Sequence, residues 1–260
     1  MDDAERTHSV CNDIYAKRFM DEGGMKIYEP FRSEKIPNIS NLARCRIIDD
    51  YLRDEIKKND STEIITIGAG FDSRPYRLAG GNWTEVDEPQ IIIYKNEKLP
   101  LNECKNKINR IAIDFSNESL SDKLGDIDNA RHIVIVIEGV FLYLEPEAIN
   151  NTLKVIQSIF PKHVLLCELM TKSFFDKFGQ SVHSKLVDTG GIFSKKSEKP
   201  EEIFINNGYV EVERIPTFKY AAESGALWAV AKIPPFVSSL LLNIFMKDLN
   251  GYAVHYFRYR

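Results

Sequence analysis

Histidine and cysteine are scarce here, five and four residues in 260. Cys11, Cys45, Cys104 and Cys167 are scattered, without the close pairs that hold a metal. No metal site is expected, and the spacing predicts free thiols, buried or at the surface, in a reducing compartment. Long apolar runs are also lacking. The longest, residues 234–246, is broken by Ser238, Ser239 and Asn243 and is too short to span a bilayer. The opening MDDAERTHS has no apolar signal-peptide core, so a soluble cytoplasmic protein without a membrane partner is expected. There is no positive excess: a net charge of −4 and a pI near 5.8 argue against a nucleic-acid partner. Internal repeats and low-complexity segments are absent.

What is there centres on residues 63–78, EIITIGAGFDSRPYRL. The β-branched run 64–67 is the length of one buried strand. Gly68-Ala69-Gly70 then lets the backbone turn sharply and lets a ligand come close. Pro75 suits a first helical turn. The next strand, 83–87, ends in Asp87, about 20 residues after the turn, where nucleotide-binding sheets carry a ribose-binding acid. Such a strand-end carboxylate is expected to be solvent-accessible.

Along the chain, helices are predicted over 5–21 and 38–58, with a loop at Gly23-Gly24 between them. Strands are predicted at 64–67, 83–87, 110–113, 132–137 and 164–169, with helices at 89–98, 145–160 and 172–187 and a short helix or turn at 120–124 between and after them. A helix opened by Pro200 and closed by Gly208 follows, then longer strands over 209–220 and 252–259. Strand–helix alternation with a final strand pair predicts an α/β, doubly wound sheet of parallel strands. Residues 1–60 read as an N-terminal helical cap and 61–260 as the α/β domain, one compact unit overall. Three successive strands end in acids, Asp87, Asp114 and Glu138. Ligands of such sheets lie beyond the strands' C-terminal ends, so the three carboxylates are expected to face one crevice.

A dinucleotide's pyrophosphate wants helix N–H groups and no nearby anion. Here Asp72 sits in the turn and Ser73 takes the third glycine position. That arrangement suits S-adenosylmethionine, whose sulfonium and ammonium attract acids. Lys17, Arg18, Arg44 and Arg46 are candidate cations for its carboxylate.

GAGFDSRPYRL, TEVDEP, AIDF and IEGVFLYLEPEAI, in this order and spacing, resemble the leucine carboxyl methyltransferase family. That family also includes bacterial O-methyltransferases of polyketide pathways. The resemblance covers about residues 16–208. It implies a class I methyltransferase-like fold of seven strands, ordered 3-2-1-4-5-7-6, the last antiparallel. It also implies the cofactor S-adenosylmethionine. AKRF implicates Lys17 in cofactor binding, and PNISNLARC implicates Arg44 at the methionyl carboxylate. Gly68 and Gly70 match the turn, Asp87 the ribose acid, Asp114 with Phe115 the adenine-side pair, and Glu138 the acid facing the ammonium. DKFGQ, residues 176–180, matches the protein-methylating branch. The chain departs from the family after Asp114, where Phe115-Ser116-Asn117 replaces leucine and charged residues. The apolar C-terminal segment looks more like the small-molecule branch.

No histidine stands at a convincing base position: His132 and His163 begin strands, away from the crevice, and His183 lies in a helix after strand five. Tyr143, five residues beyond Glu138, is the candidate for orienting an acceptor. The expected function is O-methylation of a small-molecule carboxylate. A protein C-terminal carboxyl acceptor, an NAD-dependent oxidoreductase and a non-catalytic cofactor-binding protein are the alternatives. Aromatic and aliphatic residues including Tyr209, Phe218, Tyr220, Leu227, Trp228 and Phe236 are expected to roof an apolar pocket.

Overall fold

The computed structural model describes residues 3–5, 9–188, 190–227 and 248–260. The apolar segment 234–246, with Trp228 and Phe236, lies outside them. Helices α1 (Glu22–Tyr28) and α2 (Lys35–Lys58) come first. Then β1 (Glu63–Ile67), α3 (Arg74–Arg77), β2 (Asn82–Asp87), α4 (Pro89–Lys98), β3 (Lys107–Ala112), α5 (Leu120–Leu124), β4 (Ile133–Ile137), α6 (Pro146–Ile159) and β5 (His163–Met170) alternate. After them run α7 (Lys172–Phe174), a π-helical turn (Phe175–Gly179), α8 (Gln180–Val187), α9 (Glu202–Asn206), β6 (Val210–Pro216), α10 (Thr217–Glu223) and β7 (Tyr252–Tyr259).

One seven-stranded sheet has the order β3-β2-β1-β4-β5-β7-β6. The pairs β1–β2, β1–β4, β2–β3 and β4–β5 are parallel, and the last strands are antiparallel. β1 and β4 are buried at every residue, and β4 accordingly reads as an unbroken apolar run. β3 and β6 form the edges and expose several residues, among them Lys107 and Glu213, charges that discourage edge-to-edge pairing. No helix among the described residues is long and apolar enough to cross a membrane.

The chain divides into two compact units interleaved in sequence. One comprises Met1–Ile48, Glu168–Pro200 and Arg214–Val254, the other Asp49–Cys167, Glu201–Glu213 and His255–Arg260. In the first, Val10, Ile39 and Ala43 pack with Ala221, Ala222 and Leu227. A disulfide joins Cys11 to Cys45 in α2, with Cα atoms 6.1 Å apart, so the expectation of free thiols fails for this pair. Cys104 and Cys167 are free.

The described residues of the helix predicted over 5–21, namely 5 and 9–21, form no α-helix. The Asp3 carboxylate accepts from the N–H groups of Val10, Cys11 and Asn12, so these donors are satisfied without helix, and only a 3-10 turn forms at Ala16–Phe19. Gly23 and Gly24, expected in a loop, lie inside α1, which Asp21 caps by accepting the Gly24 N–H at 3.0 Å. α2 starts at Lys35 because Pro37 falls in its first turn, where no intrahelical N–H is needed. The strand predicted over 209–220 stops at Pro216. There α10 begins, and Thr217 Oγ1 donates to the Tyr252 carbonyl at 3.1 Å. Tyr209 and Leu227, expected in a pocket roof, are core residues instead.

His163 opens β5 and is buried. Its Nδ1 donates to the Phe160 carbonyl at 2.8 Å, which leaves Nε2 to accept from the Tyr209 hydroxyl at 2.9 Å. Burial lowers its pKa to about 4, against the Phe160 bond, which favours the proton. The unfolded chain therefore takes up this proton first as pH falls. The contribution is complete above about pH 6.5 and is lost down to about pH 4, roughly 3 kcal/mol in all. Urea midpoints measured from pH 7.5 to 4.5 are expected to fall less steeply for His163→Gln than for the parent. Parallel curves would remove this account.

Candidate active site

β1 ends at Ile67 and the chain turns through Gly68, at φ +71°, and Gly70, at φ +44°. A Cβ on Gly68 would lie 2.4 Å from Val140 Cγ2, so conformation and space both require glycine. The N–H groups of Gly68 and Ala69 donate to the Val86 carbonyl at 2.9 and 3.1 Å and pin the turn to β2. A Cβ added at Gly70, or at Gly139 with φ +72°, would meet nothing within 4 Å. The turn after β1 and the turn after β4 are thus both bare backbone with open space above it.

Asp87 closes β2. Its Oδ2 accepts from Gly70 N at 2.5 Å and its Oδ1 from Glu88 N at 2.7 Å. It is 9 % exposed, not the accessible carboxylate expected at a strand end. The reason is local: beyond the last strand pairing these two N–H groups need an acceptor, and Asp87 supplies it. Each oxygen keeps a second lone pair for a ligand.

Glu138 follows β4, and its Oε2 lies 2.7 Å from Arg74 Nη1. Arg74 is buried in α3 and also reaches Asp72 Oδ2 at 3.0 Å and, through Nε, Asp49 Oδ1 at 2.7 Å. Arg77 grips the other oxygen of Asp49 at 2.5 Å. Burial alone would lower the Arg74 pKa, but Asp72, Glu138 and Asp49 together hold it well above its ordinary value. The sequence reading gave the charge of Asp72 to a bound cation; the structure gives it to Arg74, whose backbone N–H it also accepts at 2.9 Å. Arg74, Arg77 and Asp49 were missed as organisers of this site. A signal was available, because Asp49 lies among the apolar positions of α2, between Ile48 and Leu52, and a buried acid there calls for a cation.

Asp114 lies just past β3. It accepts from Asn117 Nδ2 at 2.7 Å and Ser116 N at 2.9 Å, and these bonds, Asn117 first, hold its carboxyl below the usual range. Phe115 is 43 % exposed, and its N–H reaches Glu88 Oε1 at 3.4 Å. Tyr143 is exposed in the turn after Glu138, its N–H bonded to the Val140 carbonyl. The structure thus joins Gly68, Gly70 and Asp87 in one hydrogen-bonded turn and connects Glu138 to that turn through Arg74. Asp114 and Phe115 adjoin Asp87 through Glu88. Lys17 and Arg44 belong to the other compact unit. There Lys17 pairs with Glu5 at 2.5 Å, and Arg44 donates to the Tyr252 hydroxyl at 2.5 Å, with Glu168 at 3.7 Å. His183, the remaining histidine candidate, accepts from Phe193 N at 3.4 Å and stacks on the Phe193 ring.

Solved structures share this architecture. A DUF574-family protein from Streptomyces avermitilis superposes with a TM-score of 0.63 at 14 % identity, covering 99 % of both chains. Magnesium protoporphyrin IX methyltransferase from Synechocystis, crystallised with S-adenosylhomocysteine, gives 0.53 at 11 % identity, over 94 % of this chain and 98 % of that one. At these identities the likeness is one of fold. In sequence, a protein of Mycolicibacterium paratuberculosis named "Putative S-adenosyl-L-methionine-dependent methyltransferase" is 29 % identical over 126 residues. The match takes in 46 % of this chain and 40 % of that protein, so the chain spans less than half the length of this curated relative. The sequence model of leucine carboxyl methyltransferases matches residues 2–157, which include the glycine turn and the acids Asp87, Asp114 and Glu138. With more than half its length matched, the chain belongs to the leucine carboxyl methyltransferase family.

Proposed function

We propose that this protein is an S-adenosylmethionine-dependent methyltransferase acting on a carboxylate oxygen of a small molecule. The observation that carries the proposal is the bare glycine backbone at Gly70 and Gly139, flanked by the carboxylates of Asp87 and Glu138. These residues fit the cofactor. A nucleoside lies against backbone that no Cβ crowds, and the acids suit hydroxyl and ammonium donors. A dinucleotide fits poorly, because Ser73 stands at the third glycine position of the turn, where a pyrophosphate needs close backbone approach. When bound, S-adenosylmethionine supplies an electrophilic methyl group on a sulfonium.

The chain's residues bind and orient. Asp87 takes the ribose hydroxyls through its remaining lone pairs. Glu138, held by Arg74, receives the ammonium. Asp114 and Phe115 serve the adenine end. Lys17 and Arg44 are assigned the methionyl carboxylate, and Tyr143 orients the acceptor. A carboxylate acceptor is ionised at neutral pH and needs no base, so positioning and exclusion of water suffice. The histidines support this reading. Among the described residues His132 bonds Glu55, His163 bonds Phe160 and Tyr209, His183 takes the Phe193 N–H, and His255 bonds Glu211. None is left at the glycine turn to deprotonate an alcohol.

An ester product is base-labile. Incubated with methyl-labelled cofactor and a mixture of carboxylic acids, the protein is expected to yield label that mild alkali releases as methanol. Alkali-stable label would overturn the carboxylate assignment, and label on a protein C-terminus would overturn the small-molecule assignment.

A further inference from the structure

The opposite end of the sheet carries a second concavity. The parallel strands β4 and β5 begin there, and antiparallel β7 ends there, so the topology delivers its last residues beside Ile133 and Val164. The cleft has a volume of about 830 Å³, within the range of small-molecule sites. Five cationic side chains line it, Lys58, Arg131, Lys162, Arg258 and Arg260, against one carboxylate, Glu55. That concentration of positive charge stands out in a chain of net charge −4.

The carboxylate is already engaged. Glu55 takes Lys58 at 2.7 Å and His132 at 2.5 Å, and the Tyr256 hydroxyl lies at 3.4 Å. Arg131 is compensated outside the cleft by Glu63 at 3.2 Å and Asp128 at 3.6 Å. Lys162, Arg258 and Arg260 have no carboxylate within ion-pair distance among the described residues. His163 adds no free donor, since both its ring nitrogens are bonded within the protein. Like charges gathered in a concavity repel one another, and among the described residues no side-chain carboxylate pairs with these three. An anion with several charged oxygens would relieve all of them at once, through charge-assisted bonds that Arg makes in pairs. The rings of Tyr256 and Tyr259 give the cleft aromatic walls beside the cations.

We infer that this cleft binds a small polyanion carrying two or more phosphate groups, at a site separate from the glycine turn. The inference does not depend on the methyl-transfer reading; only the comparison with ATP in its test uses S-adenosylhomocysteine as a blocker of the glycine crevice, and the tripolyphosphate titration stands without it. It is tested by calorimetric titration of the protein with inorganic tripolyphosphate and, separately, with ATP. Excess S-adenosylhomocysteine is present throughout to keep adenosine out of the glycine crevice. Saturable one-site binding of either probe in the sub-millimolar range is expected, weakening as salt rises. Tighter binding of ATP identifies a nucleotide ligand; equal binding identifies the phosphate chain alone. The Lys162→Gln, Arg258→Gln, Arg260→Gln triple variant is expected to lose about tenfold or more in affinity, with a melting temperature no lower than the parent's showing that it is folded. Absence of saturable binding by both probes, or equal binding by the triple variant, overturns the inference. Binding of a single-stranded RNA oligonucleotide while both small probes fail also overturns it, in favour of an extended nucleic-acid surface.

Discussion

Arg74→Ala is expected to destabilise the protein by about 3–5 kcal/mol, because it removes the common partner of three carboxylates in a buried setting. Arg74 is 3 % exposed, and Asp49, Asp72 and Glu138 all lie within 3.0 Å of it. Arg77 would still hold Asp49, but Glu138 and Asp72 would lose the guanidinium that joins them. Arg74→Lys keeps the charge, yet one ammonium cannot reproduce a fork that bonds Asp49 through Nε and the other two acids through Nη1. It is expected to fall between the parent and the alanine variant. Urea unfolding reads both. A loss under about 1 kcal/mol for Arg74→Ala would mean that the arginine is a surface pair of small worth.

Asp87→Asn is expected to act on both binding and the turn. An amide keeps one acceptor oxygen, but its NH2 group replaces the other oxygen and opposes a backbone N–H, that of Gly70 or that of Glu88. Loss of a bond to a charged acceptor costs about 1.5–3 kcal/mol. Affinity for S-adenosylhomocysteine should fall roughly 10- to 100-fold. Free adenosine should lose a similar factor, because the lost partner is the ribose. A variant that loses affinity for S-adenosylhomocysteine but not for adenosine would place Asp87 at the methionine end.

The elements best read from sequence are those that periodicity and punctuation mark together. Helix α4 starts at Pro89 and β7 is a run rich in aromatic residues from Tyr252, and both occupy the predicted ranges. The buried run of β4 was equally plain. Edge strand β3 was predicted too short, because Lys107 and Asn109 face solvent and hide the strand pattern. The sheet order was not in the pattern at all; it came from the family resemblance, and the structure has that order. Long-range chemistry was the least legible. The Cys11–Cys45 bridge closes 34 residues, and no spacing rule marks it. Asp87 was recognised as a site acid, but its burial follows from the position of the Gly70 N–H in space. Arg74 carried no signal of its own in sequence, since its three partners come from α2, the glycine turn and the end of β4.

The bare glycine turns beside Asp87 and Glu138 are expected to hold S-adenosylmethionine and not a dinucleotide. Calorimetric titration of the unmutated protein with S-adenosylhomocysteine and, in parallel, with NAD tests it directly. One-site saturable binding of S-adenosylhomocysteine, with no heat from NAD, is the predicted result; saturable binding of NAD with S-adenosylhomocysteine silent would contradict it.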